Sequence, residues 1–281
     1  MASIAIFNPK GGVGKTTMAV NLAWESARAG NRTLLWDLDG QGDSTSVLIG
    51  GQSSPRLDAH KVMHGIADIN GHIRSSKING LDVLVPDEEM RSTDNLFVYL
   101  AQQQRLTRLF LTLKQRYDRI ILDCPPGFSD TARKLLVVSD LIVVPVIPSP
   151  FALRGLERVR RFVAQKRGKH SPILPVFSMV DRRRTLHKAV LAEHPDWPVI
   201  PMYSDVEQMT VRLLPIGFIA PHAPASLVFT KLWSGIDRKL CQMRLARTVP
   251  MNSAPPAIEA NIPARPKAGL LASLRADRTA I

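Results

Sequence analysis

Eight consecutive residues, Lys10-Gly11-Gly12-Val13-Gly14-Lys15-Thr16-Thr17, have types and spacing suited to holding phosphate. Glycines let a backbone turn tightly and aim its N–H groups at an anion, and a helix starting behind them adds a favourable dipole. In such a loop Lys15 can reach β- and γ-phosphates, and the Thr16 hydroxyl can sit on Mg²⁺. Pro9 stands where the usual G-x-x-x-x-G-K-[ST] loop begins with glycine, and Lys10 is an added cation. Asp37 and Asp39 close one apolar run and Asp123 closes another, before Cys124-Pro125-Pro126-Gly127. A carboxylate ending a buried strand must be compensated, so Asp123 reads as a functional residue. Asp37 and Asp39 alternate, and either could instead cap the next helix. Cys124 has no histidine near it in sequence and reads as a small buried filler; Trp24 and Trp36 fit core positions.

The elements that must position these groups follow from periodicity. Apolar runs at Ala2–Phe7, Arg32–Trp36, Leu81–Val85, Arg119–Leu122, Leu141–Ile147 and Ile173–Met179 read as strands. Several are almost continuously apolar, as strands covered on both faces are. Helical patterns fall at Thr16–Ala29, Thr93–Arg116, Ser129–Val138, Pro150–Lys169, Thr185–Glu193, Val206–Leu214 and Pro221–Arg247. The alternation predicts an α/β fold with a doubly wound, mainly parallel sheet flanked by helices. Residues 1–247 make one domain on this reading. Prolines at 250, 255, 256, 263 and 266 predict a disordered linker over Thr248–Lys267, within a tail spanning 248–281.

The octet with its extra Lys10 resembles the signature of the ParA/MinD family of deviant Walker ATPases. Two further blocks agree: Leu34-Leu35-Trp36-Asp37-Leu38-Asp39-Gly40-Gln41-Gly42-Asp43, and Tyr117-Asp118-Arg119-Ile120-Ile121-Leu122-Asp123-Cys124-Pro125-Pro126-Gly127. The family usually has Pro at the position of Gly40 and Asn at that of Asp43. The resemblance spans residues 2–147 well and reaches loosely to about 240. It is closest to ParA-like partition and positioning proteins lacking an N-terminal DNA-reading domain, since nothing here precedes the first strand. It implies a P-loop NTPase using ATP and Mg²⁺, hydrolysing slowly, and forming a homodimer around the nucleotides. Lys10 would touch the ATP of a second copy, with Gly11 and Gly12 allowing the two backbones to approach. Gly11, Gly12, Val13, Gly14, Lys15, Thr16 and Thr17 would hold the nucleotide, and Gly127 would sense the γ-phosphate through its N–H. Asp39 would orient the attacking water, with Lys10 and Lys15 also catalytic. Thr16 and Asp123 would hold magnesium, the latter through water. The family often places an Asn near adenine after the sixth strand; this chain has Phe177-Ser178-Met179-Val180-Asp181 there, which makes Met179 a base contact and Met202–Val206 a second wall.

The formal net charge of +13 is concentrated. Arg154 to Lys188 holds eleven basic and two acidic residues, and Cys241 to Ile281 six and two. Arg154, Arg158 and Arg161 share a helix face, and Arg182-Arg183-Arg184 follows the next strand. Such a surface binds phosphate backbones without reading bases, and no aromatic interleaves to stack on single strands. Arg158, Arg161, Arg182, Arg183, Arg184, Lys188 and Arg212 are therefore expected to bind nonspecific double-stranded DNA in the ATP state, as ParA-like proteins do. A solvated face without a partner is the plain alternative. The resemblance also implies an adaptor protein that stimulates hydrolysis. Lys267-Ala268-Gly269-Leu270-Leu271-Ala272-Ser273-Leu274-Arg275 could form a short basic amphipathic helix that faintly resembles a MinD-like membrane anchor, but three leucines without an aromatic bind weakly. A metabolic enzyme of the same superfamily is a third reading, although no paired-cysteine motif supports cluster chemistry. The two cysteines, Cys124 and Cys241, make no disulfide framework. With no leader pattern and no long apolar stretch, the expected location is cytoplasmic and nucleoid-associated.

Overall fold

The apolar runs pair into an eight-stranded sheet in a computed structural model that describes residues 1–50, 72–85, 105–166 and 171–248. The strands are β1 (Ala2–Ile6), β2 (Thr33–Asp37), β3 (Ile73–Ser75), β4 (Leu81–Leu84), β5 (Arg119–Asp123), β6 (Leu141–Val146), β7 (Ile173–Val180) and β8 (Val199–Pro201). Their order is β3-β4-β2-β5-β1-β6-β7-β8, and every pairing is parallel except β3 with β4. β1 and β6 are buried along their whole length. Aliphatic residues on both faces are the sequence counterpart of helices on both faces. From β1 the chain moves one way to β2 and later returns to the other side at β6. The carboxyl ends of the strands therefore open a crevice there, where ligands bind in open α/β sheets.

Nine helices occur among the described residues: α1 (Lys15–Arg28), α2 (Asp43–Ile49), α3 (Arg105–Arg116), α4 (Asp130–Val138), α5 (Pro150–Ala164), α6 (Thr185–Glu193), α7 (Ser204–Arg212), α8 (Ile216–Ile219) and α9 (Pro224–Thr248). One buried cluster joins the sheet to α3, α4, α5 and α6 through Leu113, Leu135, Leu156 and Val190. The other joins it to α1, α2, α7, α8 and α9 through Leu22, Leu48, Met209, Ile216 and Phe229. Ser129 and Ser149 cap α4 and α5 by accepting from the N–H groups of Ala132 and Ala152, and Pro150 fits the first turn of α5.

Several expectations shift. α2, β3, β8 and α8 were not foreseen, and the last helix begins at Pro224 rather than Pro221. α5 ends at Ala164 rather than Lys169, and α7 begins at Ser204 rather than Val206. Residues 93–104 of the expected second helix lie outside the described residues, as do 249–281 of the expected tail; Thr248 closes α9. No described helix is long and apolar enough to cross a membrane.

α8 packs against α1 at unusually short range. A methyl group on Gly217 would fall 2.2 Å from the Trp24 indole nitrogen, and Trp24 meets Phe218 edge-on at 5.4 Å. Gly217→Ala should therefore cost about 1–3 kcal/mol of stability, as overpacking does. Gly235→Ala, where a methyl meets nothing within 4 Å inside α9, should instead be neutral or stabilising. Urea denaturation of the two variants checks this contrast.

Candidate active site

The loop after β1 is pinned from below by a residue with no surface at all. Asn8, fully buried, donates from Nδ2 to the Pro145 carbonyl at 2.8 Å and accepts the Lys10 N–H at Oδ1 at 2.9 Å. The Lys10 side chain is left exposed, while its carbonyl accepts from Lys15 Nζ at 3.2 Å. Val13 is buried, and its carbonyl accepts the Ser178 hydroxyl at 2.9 Å. Gly14 has φ 84°, a left-handed conformation that side chains resist, and forms the N-cap of α1 without any side-chain oxygen. The first N–H groups of α1 thus have no side-chain acceptor at the cap, as a phosphate-receiving helix needs.

Beneath the loop sit buried charges. Asp123 pairs in register with Ile6 on one side and Asp37 on the other, so two carboxylates lie side by side. Neither Asp123 oxygen has a hydrogen-bond partner among the described residues. Burial, reinforced by the Asp37 charge, pushes the Asp123 carboxyl up to about 8, and the Thr16 and Ser44 hydroxyls relieve this only in part. Asp37 is also raised by burial, against several bonds: it accepts the Thr45 N–H at 2.9 Å, the Thr45 hydroxyl at 2.7 Å and the Asp39 N–H at 3.2 Å. Asp37 thereby fastens the start of α2, the capping alternative read from its sequence. Lys15 is 7% exposed, and burial lowers its ammonium pKa against the opposing pull of Asp123 and Asp39.

A cavity of about 490 Å³ opens over these groups. Gly11, Gly12, Gly14, Lys15, Thr16 and Thr17 form part of its wall together with Asp39. Met179, Met202, Tyr203 and Val206 form another part, so both expected base walls face one space. Met179 itself has φ 53°, rare for a residue with a side chain. Asp43, Ser178 and Glu207 join the lining. Lys10, Val13, Asp123 and Gly127 do not line it: Lys10 is on the exposed rim, Val13 and Asp123 are buried, and the Gly127 N–H donates to the Pro9 carbonyl at 2.9 Å. A larger cavity of about 660 Å³ lies at the opposite, amino ends of β6 and β7, against α9. Its wall is largely apolar, so convergent charge rather than size marks the site.

The residues fit a magnesium nucleotide. An orphaned buried carboxylate beside a threonine hydroxyl needs a cation, and no group of three or more acidic, histidine or cysteine ligands exists among the described residues. Mg²⁺ suits that sparse donor set, because it keeps waters and takes phosphate oxygens.

Cys124 is 1% exposed, and burial drives its thiol pKa far above ordinary values, as a filler requires. The basic residues are dispersed differently from the sequence expectation. Arg158 lies 4.8 Å over the Phe128 ring, immediately after Gly127, and Arg161 stands 3.6 Å from Glu157. Arg183 and Arg184 pair with Asp181, while Arg182 and Lys188 line a cavity beside His187. All these belong to α5, α6 or the turn between β7 and α6. Arg212 belongs to α7, in the other helical layer. Sequence reasoning missed Asn8, Ser178 and His187; the first two act on groups more than a hundred residues away, and nothing local announces that.

A family model described as an AAA domain matches residues 1–175. Sporulation initiation inhibitor protein Soj of Bacillus subtilis (strain 168) is 33% identical over 215 residues, covering 75% of this chain and 85% of that protein. Chromosome partitioning protein ParA of Caulobacter vibrioides is 32% identical over 194 residues, covering 66% and 73%. Among solved structures, the septum site-determining protein MinD complexed with Mg-ADP from Pyrococcus horikoshii superposes with a TM-score of 0.66 at 22% identity, covering 86% of this chain and 98% of that one. At that identity the likeness supports the fold.

Proposed function

Because the chain belongs to the ParA/MinD family of P-loop ATPases, we propose that it is an ATP-dependent dimerising switch that binds nonspecific DNA and positions or segregates a cargo. The observation that carries this reading is the pair of lysines. Lys15 is buried within the loop, whereas Lys10 has its backbone pinned by Asn8 and its side chain exposed on the rim. Lys15, with the N–H groups of Gly11 to Thr17, holds the triphosphate of its own subunit. Lys10 reaches the nucleotide of a second copy, where Gly11 and Gly12 let the backbones meet.

Thr16 and Asp123 hold Mg²⁺, Asp123 through water. Magnesium, when bound, neutralises charge on the β- and γ-phosphate oxygens as the phosphoryl group transfers. Asp39, half-buried on the cavity wall, orients the water that attacks. Met179 and the Met202–Val206 segment enclose the base. The Gly127 amide exchanges its bond to the Pro9 carbonyl for one to the γ-phosphate, and this exchange is the switch. Its neighbour Phe128 packs on Phe7 and Phe162 and lies under Arg158, which supports transmission to α5.

DNA contact by Arg158, Arg161, Arg182, Arg183, Arg184 and Lys188 is supported by their exposure in one helical layer, with Arg212 a weaker member. An adaptor protein would stimulate hydrolysis and release the dimer. The partition proteins among the relatives favour this reading over a metabolic enzyme. The test is a salt titration of duplex binding with ATP, ADP or no nucleotide. Binding should require ATP and magnesium, and its logarithm should fall linearly with that of salt, with a slope of about −0.9 per neutralised phosphate. Equal binding with ADP and ATP, or none at low salt, would defeat the proposal.

A further inference from the structure

One turn beyond Thr17, helix α1 carries a fully buried amide, Asn21. Its neighbours Met18, Val20 and Leu22 belong to the apolar cluster that joins the sheet to α1, α7, α8 and α9. An amide in such surroundings is costly unless its groups are bonded. Asn21 Nδ2 donates to the Thr17 carbonyl at 2.8 Å and to Met209 Sδ at 3.1 Å, and Oδ1 accepts the Ile216 N–H at 3.0 Å. That N–H is the first of α8, a donor that a helix leaves without an internal acceptor. Met209 belongs to α7, so one side chain fastens α1 to the corner where α7 ends and α8 begins. Among the described residues, no other hydrogen bond joins α1 to α7 or α8.

The elements joined in this way carry different parts of the nucleotide cavity. α1 contributes Lys15, Thr16 and Thr17, and α7 contributes Val206, Glu207 and Thr210. Asn21 does not line the cavity; it lies behind both walls. A buried polar network with every member satisfied holds the elements it joins in a single arrangement. The same face filled by an apolar residue would pack without naming a partner for the Ile216 N–H.

We propose that Asn21 is a positioning residue for the nucleoside: by tying Thr17 to Met209 and Ile216, it sets the gap between the phosphate loop and the α7 wall. The proposal rests on the reading above that the Met202–Val206 segment encloses the base. It adds the tie that keeps that wall at a fixed distance from the phosphates, made by a residue that touches no part of the nucleotide.

Asn21→Leu deletes every bond at similar shape and leaves the Ile216 N–H buried without its acceptor. Asn21→Ser is the gentler variant, because its hydroxyl can still bond the Thr17 carbonyl within α1 but cannot reach the corner. Calorimetric titration with magnesium compares AMP-PNP, which carries a nucleoside, with tripolyphosphate, which does not. Both variants should bind AMP-PNP about 3- to 10-fold more weakly, the scale of one or two hydrogen bonds. Their affinity for tripolyphosphate should stay at the wild-type value, and thermal midpoints report that they are folded. Equal weakening toward both ligands in a folded variant would make Asn21 a general support of the fold and overturn the proposal, as would undiminished AMP-PNP affinity. Hydrogen exchange at the Ile216 amide needs no variant. In the wild-type protein AMP-PNP should slow it and tripolyphosphate should not; equal slowing by both overturns the proposal. If the wild-type protein binds the two ligands equally tightly, the base-wall reading itself has failed, and Asn21 has no wall to position.

Discussion

Lys15→Ala should abolish measurable ATP binding and, with it, ATP-dependent dimerisation. The ammonium is nearly buried and lies in the field of Asp123 and Asp39, so its deletion removes both the phosphate contact and the cation answering those carboxylates. Truncating one member of a buried, hydrogen-bonded charge pair costs about 2–5 kcal/mol, or roughly 30- to several-thousand-fold in affinity. Lys10→Ala provides the contrast. That side chain is exposed and has no described ion pair, so the variant should bind nucleotide as a monomer with little loss yet fail to dimerise. Isothermal titration calorimetry with sedimentation analysis distinguishes the two. A Lys10→Ala variant that dimerises normally with ATP would remove the two-subunit site.

Asp39→Ala should hydrolyse ATP about 10²- to 10⁴-fold more slowly, the range over which a positioned proton acceptor acts. Nucleotide affinity should be preserved, because Asp39 faces the cavity without taking part in the loop's internal bonds. Among the described residues its Oδ1 accepts only the Gln41 N–H, at 3.1 Å. The expected phenotype is a long-lived ATP dimer that stays on DNA. Asp37→Ala should look different. It removes two bonds from Thr45 at the start of α2 and one from the Asp39 N–H, and should lower stability as well as turnover. Single-turnover hydrolysis paired with thermal melts separates them, and an Asp39→Ala enzyme with undiminished turnover would remove the residue's assigned role.

The legible parts of the fold were those whose signals are contiguous. The strands β1, β5, β6 and β7 announce themselves as apolar runs because helices cover both their faces, and the phosphate loop is one unbroken octet. α2 escaped notice because Asp43-Ser44-Thr45-Ser46 is polar and short, and its start depends on the distant Asp37 carboxylate rather than on a local cap. β3 and β8 are three-residue edge strands, too brief for a period to show. At the site, Lys15, Thr16, Asp39, Met179, Met202, Tyr203 and Val206 line one cavity. Asn8 and Ser178 were illegible because each serves the loop through a bond to a chain-distant carbonyl. The basic face was legible as composition, but not its division: Asp181 claims Arg183 and Arg184, and only the folded turn shows that Arg182 is spared.

Helix α5 meets the phosphate loop at Gly155, where an added methyl would stand 3.0 Å from Asn8 Oδ1 and 3.5 Å from the Pro9 ring. At that separation the two segments have no slack between them. A larger residue at 155 would have to push the arginine-bearing helix and the phosphate loop apart, so their close approach depends on glycine there.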